Sequence, residues 1–152
     1  MRITADLPSE ITAYLRGRES LSEVRFTEEF PCAYKESPLK KITVSIGVGD
    51  MTINDVSIGN VISVDGNTAE YGRQAEYKIL TDIYVPFLMD GKRGFEIFTK
   101  LLDELIFNAD FDIIKAGCKQ VKTSREAGAK ILEGWFLTRG LYAAERNEDA
   151  EI

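Results

Sequence analysis

Two kinds of hydrophobic periodicity follow one another along the 152-residue chain. Apolar residues spaced by three and four positions predict helices, and strict alternation of apolar and polar residues predicts strands. The helical spacing comes first, because Leu7, Ile11, Tyr14 and Leu15 fall on one face of a helix. Asp6 is a cap-type residue and Gly17 is a typical stop. The pattern therefore predicts a short amphipathic helix near the N-terminus.

Two strands are predicted next. Residues 23–30 place Val24, Phe26 and Phe30 among charges before Pro31, which indicates an exposed or edge strand. Residues 40–49 alternate more regularly. One face of this strand is apolar, with Ile42, Val44, Ile46 and Val48, and the other is small, with Thr43, Ser45, Gly47 and Gly49. We expect the small face to lie against another backbone or another subunit.

Turn-forming residues then interrupt short β-prone pieces between positions 50 and 72. A connection of about 20 residues is long for a compact domain and usually has a function or moves. The sequence therefore predicts a projecting β-like flap over residues 52–70.

The clearest strand covers residues 70–86 and ends at Pro86. Its apolar face carries Tyr77, Ile79, Thr81, Ile83 and Val85, and its mixed face carries Glu76, Lys78, Leu80, Asp82 and Tyr84. Alternate residues of a strand point to opposite sides of the sheet. We expect the first face to pack on the core, which leaves the second face available for contacts.

A long amphipathic helix is predicted from Asp90, its cap, to about Asn108. Its apolar residues are Phe95, Phe98, Leu101, Leu102, Leu105 and Ile106, which fall on one side of a helical wheel. This is the expected major core helix.

Two closing strands are predicted over residues 118–124 and 129–142. The fold class is α+β: a mixed, mainly antiparallel sheet of about four to five strands, packed by the major helix and the short N-terminal helix. We expect residues 1–152 to form a single domain with a flexible acidic tail over about 143–152.

Composition restricts the chemistry. Histidine is absent and the net charge is −6, so the commonest general base and metal ligand are missing and a phosphate-binding surface is disfavoured. No apolar run reaches the roughly 18 residues of a membrane span, and no signal peptide is seen. We expect a cytoplasmic protein with no membrane partner and no specific nucleic acid. Cys32 and Cys118 are expected to be reduced, partly buried thiols.

Motifs for catalysis are also missing. Gly47-x-Gly49 lacks the third glycine of a dinucleotide-binding turn. Asp110 and Asp112 offer two carboxylates to a metal, fewer than a hard cation needs. The sequence predicts no catalytic residue, no cofactor and no metal site. A small enzyme or nuclease acting through carboxylates stays as an alternative from a different class.

The order of elements resembles that of the tail-terminator, or tail-completion, proteins of long-tailed bacteriophages and related phage-tail-like particles. Four stretches carry the resemblance, at residues 38–51, 71–87, 94–107 and 129–142. They are "PLKKITVSIGVGDM", "YGRQAEYKILTDIYVPF", "GFEIFTKLLDELIF" and "AKILEGWFLTRGLY". The resemblance covers roughly residues 5–142.

This resemblance implies a structural subunit that forms a ring, commonly a hexamer, on the end of the tail tube. The ring stops tube polymerisation and offers the surface that joins tail to head. Its partners would be further copies of the chain, the tail tube protein and a head-completion or neck protein. The location implied is the virion tail, assembled in the cytoplasm of the bacterial host. A head-closure or neck adaptor protein is the alternative within the same biology.

A closed ring forms when one surface of a subunit meets a different surface of its neighbour. Charges of both signs on a strand face and in a flap can set the register of such a contact. The candidate residues for a subunit or tube interface are Asp55, Asn60, Asp65, Arg73, Glu76, Lys78 and Asp82.

Overall fold

The computed structural model describes residues 7–28, 39–54, 61–65, 68–109, 111–126 and 128–144. These residues form two α-helices and one seven-stranded sheet, which confirms the expected α+β class. The elements are α1 (Leu7–Arg16), β1 (Arg25–Thr27), β2 (Thr43–Asn54), β3 (Val61–Asp65), β4 (Thr68–Pro86), α2 (Lys92–Asp103), β5 (Asp112–Cys118), β6 (Lys122–Ser124) and β7 (Ala129–Ala144). A 3-10 turn at Glu19–Leu21 follows α1, and a π-helical turn at Glu104–Asn108 extends α2.

The sheet has the strand order β1-β2-β4-β7-β5, with β3 paired to β4 and β6 paired to β7. Only the β1–β2 pair is parallel, so the sheet is mixed and mainly antiparallel, as predicted. It contains more strands than the four to five expected. The two additional strands are β3, which lies within the predicted flap, and β5, which covers a stretch where no strand was predicted before Cys118.

The predicted flap belongs to a long hairpin. Asn54 at the end of β2 pairs with Gln74, and Val61 at the start of β3 pairs with Tyr71. Tyr71 also pairs with Ala144 of β7, so β3 must lie on the same edge of β4 as β2. Strand β3 therefore continues the line of β2, and both run antiparallel to β4. Residues 55–60, within the predicted flap, lie outside the described residues.

Strand β2 is longer than the sequence pattern indicated, because a bulge interrupts its alternation. The register shifts between Val48 and Met51, where three residue steps on β2 face the two steps from Ile79 to Tyr77 on β4. An extra residue of this kind turns the following side chains to the opposite face. Met51 therefore returns to the face occupied by Val48, and the strand continues to Asn54.

Both helices pack on one face of the sheet, called here the helix face. The apolar face predicted for β4 lies here, with Ile79 and Ile83 fully buried. One continuous core joins this face to the two helices. Its fully buried members include Leu7, Ile11 and Leu15 of α1, Ile97 and Leu101 of α2, Val44 and Ile46 of β2, and Phe136 of β7. Burial of each such side chain contributes roughly 1.5–3 kcal/mol to folding.

Helix α2 begins at Lys92, two residues after its expected cap. The Lys92 backbone N–H donates to the Asp90 carboxylate over 3.0 Å, so Asp90 does satisfy an amide at the N-terminal end. Arg93 binds both Glu23 and Glu96, with 2.8 Å to Glu96, and ties this end of the helix to the segment after the 3-10 turn.

The buried side of α2 differs from the predicted one. Phe95 is 56% exposed and Ile106 is 44% exposed, whereas Ile97 is fully buried. The reason is the close approach of the helix at Gly94, where an added Cβ would lie 3.3 Å from Val85 on the sheet. Because α2 contacts the sheet through Gly94, its buried side includes Gly94, Phe98, Leu101 and Leu105. The expectation that Phe95 and Ile106 are buried was therefore wrong.

The predicted strand over residues 118–124 was also wrong, because the chain forms two strands here. Cys118 ends β5, and β6 begins only at Lys122. Cys118 is exposed rather than partly buried, and Cys32 lies outside the described residues. Strand β7 runs to Ala144, two residues into the segment predicted as a tail, and the rest of that segment is outside the described part.

Candidate interaction surface

The sheet side opposite the helices is called here the outer face. Odd-numbered residues of β4 such as Ile79 are buried under the helices, so its even-numbered residues project to the other side. The register with β7 then places the odd-numbered residues of β7 beside them. Central outer-face residues are Glu76, Lys78, Leu80 and Asp82 from β4 and Glu133, Trp135, Leu137 and Arg139 from β7.

An apolar row crosses the centre of the outer face. Leu80 and Trp135 are direct cross-strand partners. The indole lies over Gly117 of β5, where an added Cβ would be 2.8 Å from the ring, and Leu80 lies beside Gly49, where the corresponding distance is 3.2 Å. The Lys78 ammonium is 5.3 Å from the Trp135 ring centroid, a cation–π contact that contributes roughly 0.5–1 kcal/mol at an exposed site. The glycines keep this row close to the backbone.

A pair of carboxylates flanks the apolar row. Asp82 and Glu133 are cross-strand partners, and Lys122 Nζ lies 2.6 Å and Lys119 Nζ 3.6 Å from the Glu133 oxygens. The hydrogen bond from Lys122 holds the pKa of Glu133 below its usual range. Burial, assisted by the Glu133 charge, raises the pKa of Asp82 to about 6. The two neighbouring carboxyl groups therefore differ in how easily they ionise. The charge of Glu133 is neutralised by lysines, whereas ionising Asp82 costs free energy.

An ion pair lies on the other side of the apolar row. Arg139 Nε is 3.1 Å from Asp112 Oδ2. Asp112 was one of the two carboxylates considered for a metal, and Asp110 lies outside the described residues. Within the described ranges, no group of three or more Cys, Asp or Glu side chains is arranged to hold a metal ion.

The outer face is closed at one end by a second small apolar cluster. Leu39 packs with Tyr84, Ala129 and Ile131. Thr43, the cross-strand partner of Tyr84, is fully buried at this end, and Ser45 is 3% exposed. The expectation that Thr43 and Ser45 form part of an intersubunit surface was therefore wrong. Gly47 is different, since an added Cβ would meet no atom within 4 Å.

The seven candidate interface residues do not form one group. Glu76, Lys78 and Asp82 lie together on the outer face, as the alternation predicted. Arg73 falls at an odd position of β4 and so lies on the helix face. Asp65 ends β3, where its backbone pairs with that of Thr68. Asp55 and Asn60 are outside the described residues.

Strands β2 and β5 form the longest open edges of the sheet in the described chain. Strand β1 pairs with β2 only at residues 43–45, so β2 from Ile46 to Asn54 has β4 as its sole partner in the described chain. Strand β5 has β7 as its sole partner in the same part of the chain. By contrast, the Arg16 side chain donates over 2.8 Å to the Phe26 carbonyl and covers part of the β1 edge.

A basic cleft lies beside β1. It has a volume of about 650 Å³ and is lined by Arg16, Arg25, Lys40 and Lys41, together with Glu23 and apolar residues. A chain with net charge −6 thus gathers positive charge at one place, which suits contact with anionic groups. The described helices include none long and apolar enough to cross a bilayer.

Sequence reasoning found the outer face but missed the contacts across it. The alternation of Ile131, Glu133, Trp135 and Leu137 in β7 was visible, yet nothing in the pattern shows which β4 residue each one meets. The pairing of Asp82 with Glu133 and the stacking of Trp135 on Gly117 depend on strand register, which the hairpin lengths and bulges set.

No protein-family model matches the chain, and no curated protein matches it significantly.

Proposed function

We propose that the protein is a structural virion subunit, a phage tail terminator that caps the tail tube as a ring, stops tube polymerisation and forms the surface that joins tail to head. The observation that carries the proposal is the outer face, where Leu80, Trp135 and Leu137 are surrounded by charged side chains of both signs. Protein interfaces commonly combine an apolar centre with a polar rim. A sheet face of this composition, on which neither of the two described helices packs, suits assembly with another protein.

The chemistry of the same face supports assembly over catalysis. Glu133 is neutralised by Lys122 and Asp112 is paired with Arg139, so neither carboxylate is placed to act on a substrate. Asp82 has a raised pKa, but it faces outward on a sheet rather than into a cleft. Burial within this chain and the charge of Glu133 account for the raised pKa of Asp82 without a reaction.

The proposed partners are further copies of the chain in a ring, the end of the tail tube, and a head-completion or neck protein. Glu76, Lys78 and Asp82 present charges of alternating sign along β4. Complementary charges contribute to register and choice of partner more than to affinity. A head-closure adaptor would use the same kind of surface at the portal rather than at the tube.

The proposal is tested with purified protein and polymerising tail tubes. Light scattering and native mass spectrometry are expected to show closed rings, and electron microscopy is expected to show the rings on tube ends. Lys78→Glu inverts a charge beside Trp135 and is expected to lower tube capping at least tenfold. Lys100→Glu makes the same change on the exposed side of α2 and is the matched control, expected to cap normally.

Three outcomes would contradict the proposal. A strictly monomeric protein at high concentration, together with no binding to tube ends, would overturn it. Binding to portal complexes and not to tubes would assign the protein to head closure instead. Metal-dependent turnover that disappears in Asp112→Ala or Asp110→Ala would favour the carboxylate enzyme.

A further inference from the structure

We infer that the ring contact joins the two open edges of the sheet, with β2 of one subunit, from Ile46 to Asn54, lying against β5 of the next, from Asp112 to Cys118. The partner is thus a second copy of this chain. This inference rests on the proposed ring and names the surfaces that build it.

The first argument is the position of the two edges. Strands β2 and β5 lie on opposite sides of β4 and β7 in the sheet order. A contact between two different surfaces of identical subunits repeats the same rotation at every step, and it gives a ring when that rotation closes and an open filament when it does not. A contact of β5 with β5, or of β2 with β2, would be two-fold and would stop at a dimer.

The second argument is the apolar surface beside each edge. On β2, Val48, Met51 and Ile53 are between 36% and 52% exposed. They align with Ile79, Tyr77 and Ala75 of β4 and so lie on the helix face. A smaller group stands next to β5 on the same side of the sheet, in the π-helical turn that leads into it.

This second group consists of Ile106 and Phe107, with exposed fractions of 44% and 76%, and Ile114 of β5 adds a further exposed apolar side chain at 44%. The β2 group lies on the side of the sheet where the helices pack, and Ile106 and Phe107 belong to the π-helical turn that extends α2 and contacts β5. Joining β2 to β5 therefore brings these two groups to the same side of the sheet. Apolar surface of this extent on a soluble domain commonly marks a contact site. The contact would remove both groups from water at once.

The third argument is charge. Asp50 lies in the bulge of β2 and Lys115 follows the irregular position of β5, and both side chains are exposed. Neither makes an ion pair with any residue in the described part of the chain. The two edges therefore carry opposite unpaired charges near their middle, which favours β2 against β5 over either edge against itself.

The bulges also limit the kind of contact. An extra residue disrupts the ladder of an edge and protects it against unrestricted pairing. The contact is therefore made by short ladder segments on each side of the bulges, together with the apolar and charged side chains. The outer face then remains free for the tube or the neck.

Cysteine cross-linking tests the inference in a chain carrying Cys32→Ser and Cys118→Ser. Asp50→Cys and Lys115→Cys are made separately, and each alone is expected to give no disulfide-linked dimer on oxidation. A mixture of the two is expected to give dimers. A chain with both changes is expected to give a ladder of linked species that ends at the ring size. Asp50→Cys mixed with Lys100→Cys is the control that stays unlinked.

The outcomes separate the inference from the proposed function. Rings seen by light scattering without any link between positions 50 and 115 would overturn the inference and leave the ring intact. A dimer from either single variant would reveal a two-fold contact and also overturn it. Absence of any oligomer in the unsubstituted protein would overturn the ring itself.

Charge reversal gives a second measurement that does not depend on oxidation. Asp50→Lys is expected to raise the protein concentration at which rings dissociate several-fold, with an unchanged circular dichroism spectrum. Adding Lys115→Asp in the same chain is expected to restore ring formation, since the opposite charges face each other again. Failure of this rescue in two folded variants would contradict the pairing of the two edges.

Discussion

The two faces of the sheet share the same strands but differ in what covers them. Ile79 and Leu80 are neighbours in β4, yet Ile79 is fully buried under the helices and Leu80 is partly exposed on the outer face beside Trp135. The helix face contains the main hydrophobic core of the chain. The outer face has an apolar centre of its own, and neither helix of the described residues lies above it, so its residues contribute less to folding and are available for contacts.

The space around two glycines, Gly134 and Gly47, also differs between the helix face and the outer face. An added Cβ at Gly134 on the helix face would lie 2.6 Å from the Phe98 ring and 2.9 Å from the Thr81 carbonyl oxygen, whereas Gly47 on the outer face has open space. The helix face is packed to contact distance, as protein interiors are. The outer face at Gly47 has room for another molecule.

The largest expected difference in stability between the two faces comes from truncating two adjacent side chains, one on each face. Ile79→Ala leaves a cavity beneath the helices and is expected to lower the free energy of unfolding by about 2–5 kcal/mol. Leu80→Ala removes a partly exposed side chain and is expected to cost about 1 kcal/mol. Denaturant unfolding of both variants measures the difference, and equal losses would contradict the distinction between the two faces.

A smaller effect is expected from glycine substitution. Gly134→Ala forces Phe98 and the β4 backbone apart and is expected to cost about 1–3 kcal/mol. Gly47→Ala is expected to change stability by less than about 0.5 kcal/mol. Thermal unfolding of both variants would show this, and a destabilised Gly47→Ala would mean that the outer face is covered near that position.

The smallest effect concerns Asp82, whose pKa rises from 3.8 to about 6 on folding. Since the folded state binds this proton more tightly, the contribution of Asp82 to stability is lost as pH rises from about 4 to 6. Asp82→Asn mimics the protonated form. It is expected to be more stable than the unsubstituted protein above pH 6 by about 1 kcal/mol, a figure reduced because the carboxyl is half-exposed.

The measurement is denaturant unfolding of both proteins at pH 4 and pH 7.5. The advantage of Asp82→Asn is expected to vanish near pH 4, where Asp82 is protonated in the folded state. A constant difference across this range would contradict the raised pKa of Asp82.

Alternation predicted the two faces of β4 correctly because no bulge interrupts its pairing with β7 over Tyr71 to Pro86. The alternation pattern failed in β2, because the bulge after Val48 turns Met51 back to the helix face. The sequence of a single strand therefore resembles that of a strand followed by a loop. A period of two cannot be followed across an extra residue.

The helical wheel failed in α2 for a different reason. Apolarity alone favoured Phe95, Phe98 and Ile106, and it gave no weight to Gly94. Helix α2 packs on the sheet through the side that carries its smallest residue, Gly94, because that side permits the closest approach of helix to strand. The cross-strand pairs were beyond prediction from pattern, since Asp82 and Glu133 become neighbours only through the register of strands far apart in the chain.

The central pairing of β4 with β7 has a consequence for how the subunit folds. Its closest partners in sequence, Pro86 and Ala129, are already 43 residues apart. Pairings between distant segments form slowly, because the loop must close before contacts compensate for its entropy. Strand β5 is made before β7 and is placed in the sheet only by pairing with it. The β5 edge therefore takes shape only after β7 has been synthesised, so a ribosome-bound chain that lacks β7 cannot yet present the edge of the proposed ring contact.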